Sequence, residues 1–296
     1  MVNQKEADKR IDLSALKAGG FIKQRQRNLF AVRLRVPVGD VTAEQLKAVA
    51  KIAEEYGEGR IHLTARQGIE INDINLDDFD TVQQELKNEG LLLGACGARV
   101  RVVTGCPGSD VCPKGLLSTK KMGKALDDTF FGKGDLPHKF KMAVAGCPNS
   151  CVKPQENDLG FNAVVQPLLD ESDNECIDCG ICEQACRVGA LKMVDGKPVI
   201  DKAKCDHDGL CIKSCPVGCL VEKRQGWNVT VGGRFGRKPN LGVLYATFVE
   251  EKDVSKLTDA IIKAYQKLGE KGERLGVTIE RLGMKDFKEE VRATIG

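Results

Sequence analysis

Three histidines, one tryptophan and three tyrosines are all that 296 residues provide, and the shortage removes several chemistries at once. His62, His138 and His207 have no second histidine at metal-ligand spacing, so an imidazole-held metal is excluded. Aromatic content of 5% leaves no stacking platform for single-stranded nucleic acid, and Trp227 and the phenylalanines read as core. A net charge of +3, with bases and acids interspersed, argues against nucleic acid as partner. No run of about 18 apolar residues is present to span a bilayer. The opening MVNQKEADKR does not resemble a signal peptide. No glycine-rich turn lies between a strand and a helix: GDLP and GGRFG read as plain turns, so no nicotinamide or flavin site is recognisable. Electrons for any redox chemistry must then come from a partner.

Cysteine is what the sequence has in excess. The thirteen thiols are odd in number and tightly clustered, which favours reduced thiols in the cytoplasm over disulfides. Cys176, Cys179, Cys182 and Cys186 follow the spacing of a bacterial ferredoxin run, in which three thiols hold one cubane cluster and the fourth reaches a second. A zinc ribbon would instead need two separated pairs around one ion. The second run supplies Cys205, Cys211 and Cys215, but its second position is Asp208. Carboxylate is a harder ligand than thiolate, so that corner is weak, and three fillings are open: Asp208, Cys219 swung in from four residues beyond Cys215, or neither. Arg187 stands where the run usually has proline. The expected clusters are thus Cys176, Cys179, Cys182 and Cys215 for one, and Cys186, Cys205 and Cys211 for another.

The remaining pattern predicts an α+β fold. RNLFAVRLRV at 27 to 36 alternates as a half-buried strand, and Thr42 to Gln45 forms a capping box for a helix ending near Tyr56. Two short strands flank Arg66-Gln67, and a second helix covers LDDFDTVQQELKN. This order suggests an open sheet with helices on one face. Further strands are expected at Arg99 to Val103, Lys139 to Ala145, WNVTVGG and LGVLYATFV, with helices over Val111 to Phe131 and about Val254 to Leu268. The cysteine-rich stretch interrupts this unit, which insertion through a surface loop explains. The organisation is therefore residues 1–95, then 96–166 with 225–296, and an insert at 167–224.

A third cysteine set, Cys106 and Cys112 with Cys147 and Cys151, fits neither zinc fingers nor the ferredoxin run. These two pairs, each following a strand and rich in proline or glycine turns, resemble the 4Fe-4S motif of sirohaem-dependent sulfite and nitrite reductases. HLTARQG at 62 to 68 looks like that family's Thr-x-Arg-Gln segment, Arg101 precedes Cys106 as its second arginine does, and Lys139-Phe-Lys141 looks like its Lys-Phe-Lys strand. GGRFGRKPNLG and ERLGVTIERLG are family-like too, and the insert is similar to that of the C-subunit branch of anaerobic sulfite reductases.

The resemblance implies a sulfite/nitrite reductase-like fold with a ferredoxin-like N-terminal half domain, a sirohaem and 4Fe-4S domain, and an inserted ferredoxin domain. It implies three clusters and one sirohaem, with Cys151 bridging cubane and sirohaem iron. Arg66, Arg101, Lys139 and Lys141 become anion-binding groups for sulfite or a similar small oxyanion, and Lys139 and Lys141, two apart on a strand, point to one face. Arg33, Arg35 and Arg99 are further bases for sirohaem carboxylates, while Cys96 reads as a small buried residue. An electron-donor subunit or ferredoxin-like donor is implied. In single-chain relatives the bases and the cysteines come from different halves, so one half alone suggests a homodimer in which the bases of one subunit serve the other's sirohaem. The rival readings are nitrite reduction to ammonia, a polyferredoxin without sirohaem, and a sirohaem protein without turnover.

Overall fold

Residues 12–295 are described in a computed structural model; the opening residues, read above as unlike a signal peptide, lie outside them. The alternating segment forms the strand Leu29–Arg35, paired antiparallel with Phe21–Lys23 on one side and Ile69–Asn75 on the other. Ile61–Leu63 extends the sheet beyond Ile69–Asn75, and Leu92–Leu93 pairs with the far end of Leu29–Arg35. Thr42 and Gln45 make the reciprocal capping box, which satisfies two free amides at the start of helix Ala43–Tyr56. This helix and Phe79–Asn88 lay Val49, Ile52, Val82 and Leu86 onto Val32, Leu34, Ile71 and Ile74, giving a sheet with helices on one face.

The second sheet runs Val243–Val249, Leu220–Val231, Leu159–Leu169, Met142–Ala145, Thr104–Gly105. Its first pairs are antiparallel and its last two parallel. Met142–Ala145 is buried throughout, as a parallel strand covered on both faces must be. Helices Thr119–Phe130, Glu251–Leu268 and Met284–Ile295 contribute to a core around the fully buried Trp227, Tyr265, Phe140 and Phe161. Truncating such an aromatic to alanine costs about 3–5 kcal/mol.

Three expected elements are shorter than their patterns. Arg99 to Val103 forms only a bridge, Val100 to Phe140, because the Val100 amide donates to Lys133 instead of to a neighbouring strand. The helix expected from Val111 starts at Thr119, capped by Ser118, since Pro113 and the turn from Cys112 to Gly115 occupy the earlier residues. Lys139 and Lys141 likewise precede the strand that begins at Met142.

The cysteine-rich segment sits at the tip of the longest hairpin. Leu159–Leu169 and Leu220–Val231 pair out to Leu169 opposite Leu220, so the excursion is tighter than residues 167–224. It holds two five-residue helices, Ile181–Ala185 and Leu210–Ser214, and one small antiparallel pair, Leu191–Val194 with Lys197–Ile200. Each helix follows a glycine at positive φ, Gly180 at 69° and Gly209 at 70°, a conformation glycine adopts without steric cost. A side chain at Gly209 would also strike Val165, where the segment packs on the main sheet.

Candidate functional site

Two loops bring the third cysteine set together. The Cys112 amide donates to Gly108 carbonyl, folding the first loop back, and the Leu116 amide donates to Gly146 carbonyl, fastening it to the second. The loops meet backbone to backbone: a Cβ on Gly146 would sit 2.8 Å from the Gly108 Cα. Gly146 amide donates to the Cys106 sulfur at 3.1 Å. Burial raises the Cys147 pKa, and the like-charged neighbours that add to the rise are Cys106, Cys151 and Cys112. The two loops that carry the four expected thiols are therefore held side by side.

The Thr-x-Arg-Gln segment is sewn to the same region. Gln67 exchanges two hydrogen bonds with Gly105 of the strand Thr104–Gly105, 2.8 and 2.9 Å. Arg66 donates to the Asn157 side chain and to Val102 carbonyl, and its guanidinium is enclosed although part of the residue faces a cavity. That enclosure lowers its pKa to about 10.

Two adjoining cavities share this arginine. One, of about 470 Å³, is lined by Arg33, Arg66, Arg101, Lys139 and Lys141 among others. The other, of about 610 Å³, is lined by Arg66, Gln67, Lys141, Cys106, Cys151 and Lys153 among others. Arg66 and Lys141 thus face the thiols of their own chain, whereas Arg101 and Lys139 line only the first cavity.

Partly buried positive charge collects around the two cavities. Burial, then the neighbouring Arg66, Arg274 and Lys139, pull Lys141 down to about 8. Lys139 and Arg101 are lowered for the same first reason, and Arg101 Nε is buried without a hydrogen-bond partner. Cations held this way favour a ligand that brings negative charge and acceptor oxygens. Cations lining one cavity, with Arg101 Nε unpaired, and thiols lining the adjoining one suit an anionic macrocycle and a thiolate-held cluster respectively.

The supporting bases divide. Arg33 lines the first cavity but is committed to Glu70 and to the Cys96 sulfur at 3.0 Å, so Cys96 is an acceptor at the cavity wall as well as a small buried residue. Arg35 pairs with Asp127 and Asp128 and lies over the Phe131 ring, a structural role. Arg99 is exposed and lines neither cavity, so as a cofactor contact within the chain it is not supported.

In the cysteine-rich segment the thiols ring two cavities. Cys176, Cys179, Cys182 and Cys215 line one, and Cys219 lines it too. Cys186, Cys205, Asp208 and Cys211 line the other. Of the fillings left open for the Asp208 corner, Asp208 itself lines that cavity, whereas the turn after Cys215 sets Cys219 against the first. Burial among Cys205, Asp208 and Cys186 pushes Cys211 up to about 12. Among the described residues, no three His, Cys, Asp or Glu side chains close on a point as one ion demands. Rings of thiols are what a multi-iron cluster takes.

Sequence reasoning missed the groups that hold the bases in place. Asp158, fully buried, accepts the Lys141 amide at 2.8 Å and forms a two-pronged pair with Arg274. Asn157, beside it, holds Arg66. Arg274 belongs to the segment recognised only as family-like, and nothing in its spacing identifies a partner 116 residues away.

Among the described residues no helix is long and apolar enough to cross a membrane. The model of the nitrite and sulphite reductase 4Fe-4S domain matches residues 96–296, and that of the nitrite/sulfite reductase ferredoxin-like half domain matches residues 22–89. Coenzyme F420-dependent sulfite reductase of Methanocaldococcus jannaschii is 34% identical over 92% of this chain, which spans 44% of that protein's length. The C-subunit of the anaerobic sulfite reductase of Salmonella typhimurium is 30% identical over 95% of this chain and 89% of its own. The crystal structure of dissimilatory sulfite reductase I superposes with a TM-score of 0.74 at 21% identity, covering 89% of this chain and 69% of that one, a likeness of fold. With both domain matches falling on the segments that carry the bases and the paired cysteines, the chain belongs to the nitrite and sulfite reductase family, as an α+β iron-sulfur oxidoreductase.

Proposed function

We propose that the chain is the catalytic, sirohaem-bearing part of a reductase that converts sulfite to sulfide. The observation that carries this reading is one cavity lined by Arg66 and Lys141 together with Cys106 and Cys151. Cys106, Cys112, Cys147 and Cys151 would hold the cluster coupled to sirohaem, and the two thiol rings of the insert would hold the others. When bound, these groups would relay electrons one at a time from an external donor, six in all for each sulfite taken to sulfide.

The chain's own residues do the rest. Arg66, Arg101, Lys139 and Lys141 neutralise the oxyanion in a half-open pocket, where their partial burial strengthens charged donors. Lys141, with its pKa near 8, both binds the anion and donates a proton to a departing oxygen near neutral pH. Two contacts support electron entry through the insert. Lys213, on the Cys211 helix, donates to the carbonyls of Pro113 and Gly115 beside Cys112. Arg187, next to Cys186, reaches Asn149 between Cys147 and Cys151. The insert is thus clamped on the loops of the third cysteine set, with the Cys186, Cys205, Asp208 and Cys211 ring nearer to them. The Salmonella relative is by its name one part of a larger enzyme, which supports a separate electron-donor subunit here.

Nitrite reduction to ammonia is the alternative, because a cationic pocket accepts either oxyanion. Visible spectra of anaerobically purified protein, followed by kcat/KM for both anions with an artificial low-potential donor, test the proposal. Sharp sirohaem bands with a higher kcat/KM for sulfite uphold it; a nitrite preference favours the alternative, and absence of the bands leaves a polyferredoxin.

A homodimer with shared sites is our second reading, favoured by Arg101 and Lys139 lining the cavity that holds no cluster thiol. Co-assembly of Lys139→Met chains with Cys151→Ser chains distinguishes the two. Sharing restores about half the activity by placing both defects in one site, and a self-contained site restores none.

A further inference from the structure

The first cavity of the cysteine-rich segment has five thiols where a cubane takes four. Cys176, Cys179, Cys182 and Cys215 satisfy the ferredoxin spacing, which leaves Cys219 without an assigned role. It does not serve the neighbouring ring, whose walls are Cys186, Cys205, Asp208 and Cys211. Cys219 is 2% exposed, and its sulfur lies 3.5 Å from that of Cys215, within hydrogen-bonding distance for two sulfurs. Cys176 is its other thiol neighbour.

The position is fixed by the fold. Cys219 immediately precedes strand Leu220–Val231, and its carbonyl accepts the Asp170 amide at 2.8 Å, one step beyond the Leu220 and Leu169 pair. Gly218, at φ 73°, makes the turn that brings Cys219 back toward Cys215. A loop thiol free to swing would leave the contact to chance; this one is held by the sheet.

We propose that Cys219 stays off iron and donates an S–H···S hydrogen bond to the Cys215 thiolate, raising the reduction potential of the cluster held by Cys176, Cys179, Cys182 and Cys215. The inference rests on reading those four as cluster ligands. A fifth thiolate here would add buried negative charge beside the other four, whereas a neutral thiol offers a donor at no charge cost. An added electron increases negative charge on the cluster and its sulfurs, so a donor to sulfur stabilises the reduced form more than the oxidised one. The Asp208 ring has no fifth thiol, so the insert's two clusters differ in tuning as well as in ligands.

The test is a redox titration followed by electron paramagnetic resonance on anaerobically prepared full-length protein and its Cys219→Ala, Cys219→Val and Cys219→Ser forms. We expect parental iron and labile sulfide in all three. One midpoint should move to more negative potential in the alanine and valine forms, the others staying in place. Serine, with an O–H donor, should return most of that shift. Loss of about four irons per chain would make Cys219 a ligand and overturn the proposal. Unchanged midpoints in the alanine and valine forms would do the same, as would a serine form indistinguishable from them, since packing alone would then account for the shift. Parent protein whose iron count lacks the insert's clusters would remove the ligand reading and the inference together.

Discussion

Asp158 Oδ2 accepts the backbone amide of Lys141 at 2.8 Å while the same carboxylate clamps the Arg274 guanidinium at 3.0 and 2.6 Å. One buried carboxylate thus links the C-terminal helical region to the residue that carries the central base of the pocket. Removing one partner of such a pair strands the other charge away from water, so Asp158→Asn should destabilise the fold by about 3–5 kcal/mol. Urea unfolding checks this; a loss under about 1 kcal/mol would mean that Arg274 finds another partner.

Lys141→Met keeps the reach of the side chain and removes its charge. Sulfite turnover should fall at least about tenfold with sirohaem content largely retained, because the cost falls on anion binding and protonation and spares the cofactor walls. Turnover assays paired with the sirohaem spectrum measure the two effects separately. Parental activity in the variant would make Lys141 a bystander.

Lys141 also sets a pH dependence. Its pKa is depressed to about 8, so in the free enzyme the charged form dominates below that value and is lost above it. Since kcat/KM reports the free enzyme, it should decline as pH rises through about 8. The ratio of parent to Lys141→Met should shrink over the same range; a constant ratio from pH 7 to 9 would contradict the assignment.

Asp208→Cys places a thiolate in a ring already holding Cys186, Cys205 and Cys211. Thiolate is the softer and better iron ligand, so cluster occupancy and resistance to oxygen should increase. With Cys219 in the other ring, nothing else competes for the corner. Identical iron content and paramagnetic signals in parent and variant would show the carboxylate already adequate.

Periodicity makes the N-terminal sheet and its helices legible, because one face of each element is buried and the pattern repeats locally. The capping box at Thr42 is a four-residue signal and needs no tertiary context. Where long-range contacts decide, the sequence misleads: Arg99 to Val103 has the residues of a strand but bonds to Lys133 and Phe140, and the helix after Cys112 waits for Thr119. The site divides the same way. Cysteine spacing groups the thiols as the cavities of the cysteine-rich segment group them, whereas the residues that hold the bases, Asn157, Asp158 and Arg274, act through contacts that no spacing encodes. Spacing leaves Cys219 open between the two rings, because only the Gly218 turn decides which cavity it lines.

The central claim is that this chain reduces sulfite completely at a site combining its bases and its thiols. Its most direct test is the electron stoichiometry of sulfide formation by anaerobically purified protein supplied with a reduced low-potential donor. The account predicts sulfide as the product, with six electrons consumed for each sulfite, and loss of this activity in Cys151→Ser. Consumption of electrons without sulfide, or sulfide formation unaffected by that change, would contradict it.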